Sequence, residues 1–447
     1  MSTATPASFL VWTTAAAGHV NPGLPIVRQL VERGHDVRWY TGNEYRSAIE
    51  ATGASFEPMV SAVDPGTSPM NERYLERDHL EGLAGMKFDL KYLFLDEAPA
   101  QIADIRRLLA ERPADALLVD VGTLGAPMLE ALGGPPWAAY GVTVLTLGGT
   151  DVAPFGTGLP PGGSFRQRLR NRLLSAVTER VLFADVVRHE RAIRERLGIA
   201  PRTMPLLEMT ISPYLYLQSA TPAFEYPRRD LPETVHWIGP LLPEAGDQPL
   251  PTWWPELDGD RPVVLVTQGT VATDDGDLIR PTLQALADEP VLVVAAGANG
   301  LDPAEVPANA RVEQFVPFSR LLPRVSAMVT NGGYGGVQFA LANGVPLVVA
   351  GTTEEKPEIA ARVEWAGAGI RLRTKQPTPE QVRQSVRRLL EDPSYRAGAR
   401  RIAQDYARHD APAEAVLLLE QLAATGLPVN REAVAARMRS AQPTKSF

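Results

Sequence analysis

Short apolar runs separated by helix-forming segments recur along this chain, and that alternation restricts its folds more than any other feature. SFLVWTT at residues 8–14 is the first apolar run. LPIVRQLVER then carries a helical apolar period, with Pro22 where a helix can begin and Gly34 where it ends. HDVRWYT and ASFEPM read as the next strands, with NEYRSAIEAT as the helix between them, and ADALLVD and PWAAYGVT as two more. In the second half PVVLVTQ, PVLVVAAG, RVEQFV, SAMVTN and PLVVAG read as strands. Strands alternating with helices predict parallel sheets built from βαβ units.

A single core rarely grows past about 250–300 residues, so a chain of 447 residues is expected to hold at least two domains. GPLLPEAGDQPLPTWWPELDGDRP is rich in proline, glycine and acids and has no period, which marks a linker. The predicted architecture is α/β: two Rossmann-like doubly wound domains in tandem with a cleft between them. The first spans 1–239, the linker 240–262 and the second domain 263–425, and a C-terminal helix or tail at 426–447 packs back toward the first domain. Residues 61–94 and 147–164 read as irregular loops. Ligands of such sheets bind outside the carboxyl ends of the strands, so the site is expected in the interdomain cleft.

A net charge of -8 and a pI near 5.5 argue against nucleic acid as a partner. The absence of cysteine excludes disulfides, thiol catalysis and cysteine-ligated metals. MSTATPASF has no basic segment leading into a long apolar one, so no signal peptide is expected. No run approaches ~18 uninterrupted apolar residues, so no integral membrane segment is expected either. The expected location is cytoplasmic.

Two stretches carry chemistry. SAMVTNGGYGGVQFALANGVP runs from a strand through Asn331, Gly332, Gly333, Tyr334, Gly335 and Gly336 into a helix that Gly344 ends. Glycines let a ligand approach the backbone, and a helix N-terminus offers free N–H groups to a phosphate. The motif is neither GxGxxG nor a P-loop, and a tight strand-to-helix turn accounts for it equally well. His19, in TTAAAGHVNPGLP, follows the first strand, and Asp120 closes a later one. If those strands are neighbours, both residues face one crevice. A helix N-terminus disfavours the histidine cation, and a carboxylate fixes its tautomer, which together suit a base neutral near pH 7. The competing reading makes His19 a helix-start residue and Asp120 a cap for a helix beginning near Thr123. His79, in the irregular region, is the poorer base.

Taken in order, AGHVNP, VTQGT, RVEQFVPFSRLLPRVSAMVTNGG and NGGYGGVQFALANGVP resemble the inverting, nucleotide-sugar-dependent glycosyltransferases of the GT-B fold. These include bacterial macrolide and natural-product enzymes and UDP-glycosyltransferases. The resemblance covers nearly the whole chain. It implies a nucleotide-sugar donor in the second domain, a hydrophobic small-molecule acceptor in the first, and neither metal nor other cofactor. It makes His19 the base and Asp120 its partner. It brings Gly269 and Thr270 to the diphosphate and places Phe315 and Val316 in the stretch that seats the nucleotide base. Asn331 stands where the family has a phosphate-contacting histidine, and Gly336 where it has a small hydroxyl residue. Phe339 stands where many members grip the ribose with a glutamate. These departures leave a dTDP-sugar and a UDP-sugar both open.

In GTTEEKPEIAARV the resemblance assigns Glu355 to the acid that binds sugar hydroxyls and Lys356 to the glutamine beside it. By themselves Glu354, Glu355 and Lys356 read as the charged first turn of a surface helix. Met70, Phe88, Tyr92, Phe94, Val142 and Phe155 are the expected acceptor pocket, or else ordinary core. Two other readings stay open: a nucleotide-sugar epimerase of the same architecture, and a catalytically silent partner that binds nucleotide-sugar. His19 and Asp120 together favour an active transferase.

Overall fold

The computed structural model describes residues 5–67, 73–80, 82–243, 249–269, 276–298 and 300–434. Met70 and Thr270 lie outside them. The first domain is built on β1 (Ser8–Trp12), β2 (Asp36–Tyr40), β3 (Ser55–Glu57), β4 (Ala116–Asp120), β5 (Trp137–Gly141), β6 (Leu215–Gln218) and β7 (Val235–Trp237). The second is built on β8 (Val263–Thr267), β9 (Leu292–Ala296), β10 (Ala310–Glu313), β11 (Val325–Thr330), β12 (Leu347–Ala350) and β13 (Gly369–Leu372).

The sheets run β3-β2-β1-β4-β5-β6-β7 and β10-β9-β8-β11-β12-β13, and every pairing is parallel. Each order reverses direction once, between β1 and β4 and between β8 and β11. Such switch points leave a crevice at the carboxyl ends of the strands. The central strands are buried along their length, as LLVD of β4 and VVLVT of β8 show, because helices cover both faces of a parallel sheet. Helix Leu24–Glu32 turns Ile26, Val27 and Leu30 inward and ends before Gly34, whose φ of 86° only a glycine adopts without strain.

Two stretches depart from expectation. Within 61–94, Gly82–Phe88 is helical and continues as a wide π turn, Asp89–Leu95. The wider turn breaks the 3.6-residue period that would mark a helix in sequence. The chain also recrosses to the first domain one helix earlier than residue 426. Ala415, Val416, Leu419 and Leu422 of helix Ala411–Thr425 join the core formed by Phe9, Ile26 and Leu30. Beyond it, Val429 N–H donates to Tyr214 O at 2.8 Å and Arg431 N–H to Glu233 O at 3.0 Å.

Candidate active site

β1 and β4 lie side by side, with Phe9 opposite Ala116 and Trp12 opposite Val119. That adjacency brings together residues 101 apart in sequence: His19 Nδ1 lies 2.5 Å from Asp120 Oδ2. His19 sits in a single helical turn, Ala17–Val20, just past the end of β1. Tyr140, on the neighbouring β5, donates its hydroxyl to the His19 carbonyl at 2.6 Å and fixes the backbone from below. Asp120 is fully buried. Its Oδ1 accepts from Thr14 N–H at 2.7 Å and from the Thr123 hydroxyl at 2.8 Å, and its Oδ2 accepts from Gly122 N–H at 2.6 Å.

These bonds decide the charge states. Burial pushes the Asp120 carboxyl up, but His19 and the Thr14 and Gly122 amides outweigh it and hold it below the usual carboxylate range. Burial pulls His19 down, but the Asp120 charge, the bond to Asp120 and the more distant Glu355 outweigh it, so the ring titrates above the ordinary histidine value. A base neutralised by a helix dipole is thus not what the fold builds. The turn runs on through Asn21–Gly23 into helix Leu24–Glu32, but a buried carboxylate at 2.5 Å outweighs the dipole of that stretch. With Nδ1–H donating to Asp120, the lone pair of Nε2 is left on the cleft side, where the side chain keeps 26% of its exposure.

Gly122 leaves the pair its room. A Cβ there would collide with Thr14 Oγ1 and stand 2.8 Å from Asp120 Oδ2 and 3.1 Å from His19 Cε1. Gly122→Ala is expected to spread the pair and lower kcat by about tenfold or more while the protein still folds. Steady-state kinetics beside a thermal melt check this.

Across the cleft, β11 ends in the turn Asn331–Gly333 and helix Tyr334–Ala342 follows. The helix has no side-chain cap, so the first-turn amides of Tyr334, Gly335 and Gly336 have no intrahelical acceptor. A Cβ on Gly335 would meet nothing within 4 Å, which leaves the backbone open to a ligand. Gly332 has φ 93° and sits where a side chain would strike Val349. Asn331 joins two loops: its Nδ2 donates to the Gln268 carbonyl and its Oδ1 accepts from Gly333 N–H at 3.2 Å. Gly269 lies beside it, its Cβ position 3.5 Å from Asn331 Oδ1.

The Tyr334 side chain points elsewhere. It is buried, donates its hydroxyl to Ser219 O at 3.0 Å and accepts from Gln218 Nε2 at 3.1 Å, so it pins this helix to the first domain. Of the stretch expected to seat the base, Phe315 is exposed and Val316 is buried in the second domain's core. Phe339 is 8% exposed and belongs to that core as well.

Glu355 precedes helix Lys356–Trp365, close enough across the cleft for its charge and that of His19 to act on each other. Burial, with help from Glu354, holds its carboxyl above the usual range. The Lys356 ammonium is turned to Glu354 and to Thr353 Oγ1. Glu354 itself has φ 55°, the one positive φ outside glycine among the described residues.

The aromatic residues expected to line the acceptor pocket do not form one cluster. Phe88 and Tyr92 pack at a tilt with ring centroids 4.6 Å apart, with Tyr74 beside them. Phe94 packs on one face of the first sheet's core and Val142 on the other. Phe155 packs against the second domain's core. His79 lies in an exposed turn. Sequence reasoning missed Thr14, Gly122, Thr123 and Tyr140, although TT after β1 and DVGT after β4 are small polar runs at strand ends, where sites form.

Residues 281–422 match a family model described as the C-terminal domain of erythromycin biosynthesis protein CIII-like proteins. The chain is 46% identical over 418 residues to 4'-demethylrebeccamycin synthase of Lentzea aerocolonigenes, covering 93% of this chain and 99% of that one. It is 33% identical to UDP-glycosyltransferase 2 of Phaeomoniella chlamydospora, over 91% and 94% of the two chains. Among solved structures, a calicheamicin glycosyltransferase superposes with TM-score 0.70 at 25% identity, over 94% and 99% of the chains. A spinosyn rhamnosyltransferase complexed with thymidine diphosphate does so with TM-score 0.66 at 20% identity, over 92% and 100%. No helix among the described residues is long and apolar enough to cross a membrane. With both sheets in doubly wound order and relatives matched along nearly their whole length, this chain belongs to the natural-product glycosyltransferases of the nucleotide-sugar-dependent GT-B family.

Proposed function

We propose that the protein transfers a sugar, with inversion, from a dTDP- or UDP-sugar to a hydroxyl of a hydrophobic small-molecule acceptor, with His19 as base. The His19–Asp120 pair facing an uncapped glycine-rich helix start carries this reading. The acceptor O–H gives its proton to His19 Nε2 as the oxygen attacks the anomeric carbon. The bond from that carbon to the diphosphate oxygen breaks, and the nucleoside diphosphate leaves with the electron pair. Asp120 stabilises the imidazolium that forms. First-turn amides at Gly335 and Gly336 hold the leaving group's charge, a role fixed dipoles fill with no metal. Glu355 accepts bonds from the sugar hydroxyls, holding the anomeric carbon between base and leaving group.

Phe339 has no acceptor for a ribose 2′-hydroxyl, and one structural relative was solved with thymidine diphosphate. The two nucleotides are therefore expected to bind within about threefold of each other, since a hydroxyl with no buried partner contributes little. Calorimetry with dTDP and UDP tests this, and a UDP preference above about tenfold sinks it. Incubation with both donor series and a set of aglycones, read by product mass, tests the transfer itself. Donor consumed without a glycoside, whatever the acceptor, would overturn the reading.

A further inference from the structure

Among the links between the donor and acceptor halves of the cleft is one buried guanidinium. Arg362 lies on helix Lys356–Trp365, the helix that begins beside Glu355. It is 2% exposed, and so is Glu225 of the first domain. Arg362 Nε donates to Glu225 Oε2 at 2.7 Å and its Nη1 to Glu358 Oε2 at 3.0 Å. Its face lies 4.2 Å over the Tyr226 ring.

Both carboxylates then grip the backbone leading out of β5. Glu225 Oε1 accepts from Leu145 N–H at 2.8 Å, and Glu358 Oε1 accepts from Gly158 N–H at 2.5 Å. Arg371, on β13, donates to the Gly158 carbonyl at 2.9 Å. The segment 145–158 is thus held at both ends by groups that converge on Arg362 and its helix. Tyr334 ties the glycine-rich helix to Gln218 and Ser219, a few residues before Glu225. Both donor-side helices whose N-termini face the cleft are pinned to one short stretch of the first domain.

A buried ion pair is weak evidence for stability, since desolvation consumes most of its attraction. A planar fork with fixed directions is strong at setting geometry. We propose that Arg362, through Glu225 and Glu358, is a positioning residue for transfer: it sets the 145–158 segment against the start of the sugar-side helix, and so the acceptor against the anomeric carbon. The inference rests on the transfer reading above. A misplacement of about 1 Å can cost about 100-fold in rate.

The test is Arg362→Lys in the full chain, which keeps the charge and loses the fork. Expected are a nucleoside diphosphate affinity within about twofold of wild type, a kcat for transfer lower by about tenfold, and a ratio of donor hydrolysis to transfer raised by about threefold. A purely structural role would scale all rates with the folded fraction and leave that ratio unmoved. A folded variant with wild-type kcat and ratio overturns the proposal. If Arg362→Lys does not fold, Glu358→Gln serves: it keeps an oxygen for Gly158 N–H and removes the charge facing Arg362, and the same outcomes apply. Failure of the base assignment is separate, because it shows as turnover by a His19 variant whatever Arg362 does.

Discussion

His19→Ala is expected to lower kcat for transfer by about 10³-fold while dTDP and UDP affinity stay within about twofold. Asp120 is fully buried and bonded to the His19 ring, so alanine at 19 leaves no base for the acceptor's proton. On the proposed reading, nucleotide binding belongs to the other domain, to the amides at Gly335 and Gly336 and the loops that Asn331 joins. Kinetics paired with calorimetry separate the two halves. Turnover near wild type would remove His19 from the mechanism. Loss of nucleotide affinity in parallel would mean that the substitution had disturbed the whole cleft.

Asp120→Asn is expected to be the next most damaging change, by at least about 10²-fold in kcat. An asparagine amide can replace the carboxylate's shape but offers its N–H to a ring nitrogen that should be donating. It also leaves the imidazolium without a counter-charge at 2.5 Å. The Thr14 and Gly122 amides and the Thr123 hydroxyl, which now converge on two carboxylate oxygens, would have one acceptor oxygen between them. The variant is therefore expected to be less stable as well, by about 1–3 kcal/mol, which denaturant unfolding measures.

How much of this was legible in the residues differs from element to element. The strands with four or five consecutive apolar residues, such as VVLVT and LVVAA, stand out, and so do the glycine turn and the helix behind it. The strands LYLQ, VHW and GIRL are too short to separate from loop on pattern alone. Helix Ala411–Thr425 is apolar around most of its surface, so nothing local says which domain it covers, and only packing against Ile26 and Leu30 decides.

The site divides the same way. His19 and Asp120 were readable as strand-end residues, but the sheet order that puts β1 beside β4 is a tertiary fact. The raised pKa of His19 depends on its distance to Asp120, which no pattern gives, and a helix N-terminus acts in the opposite direction. Tyr334 reads as part of a phosphate loop, and its amide does open the glycine-rich helix, but its ring pins that helix to the first domain, because a helix start has two sides and the pattern does not say which side a ring takes. Arg362 was invisible, since a lone arginine in a helix reads as surface until Glu225, 137 residues away, folds against it.

The most direct measurement of the central claim is kcat/KM against pH for the wild type and for Asp120→Asn. A base must be unprotonated to act, so activity rises as pH passes through its pKa. Because Asp120 raises the His19 pKa, the wild-type limb should lie above the ordinary histidine value of about 6.5. With the carboxylate gone, burial is opposed only by the more distant Glu355 and the limb should move to lower pH, on a lower plateau. The same limb in both proteins, or no limb in the wild type, would contradict the account.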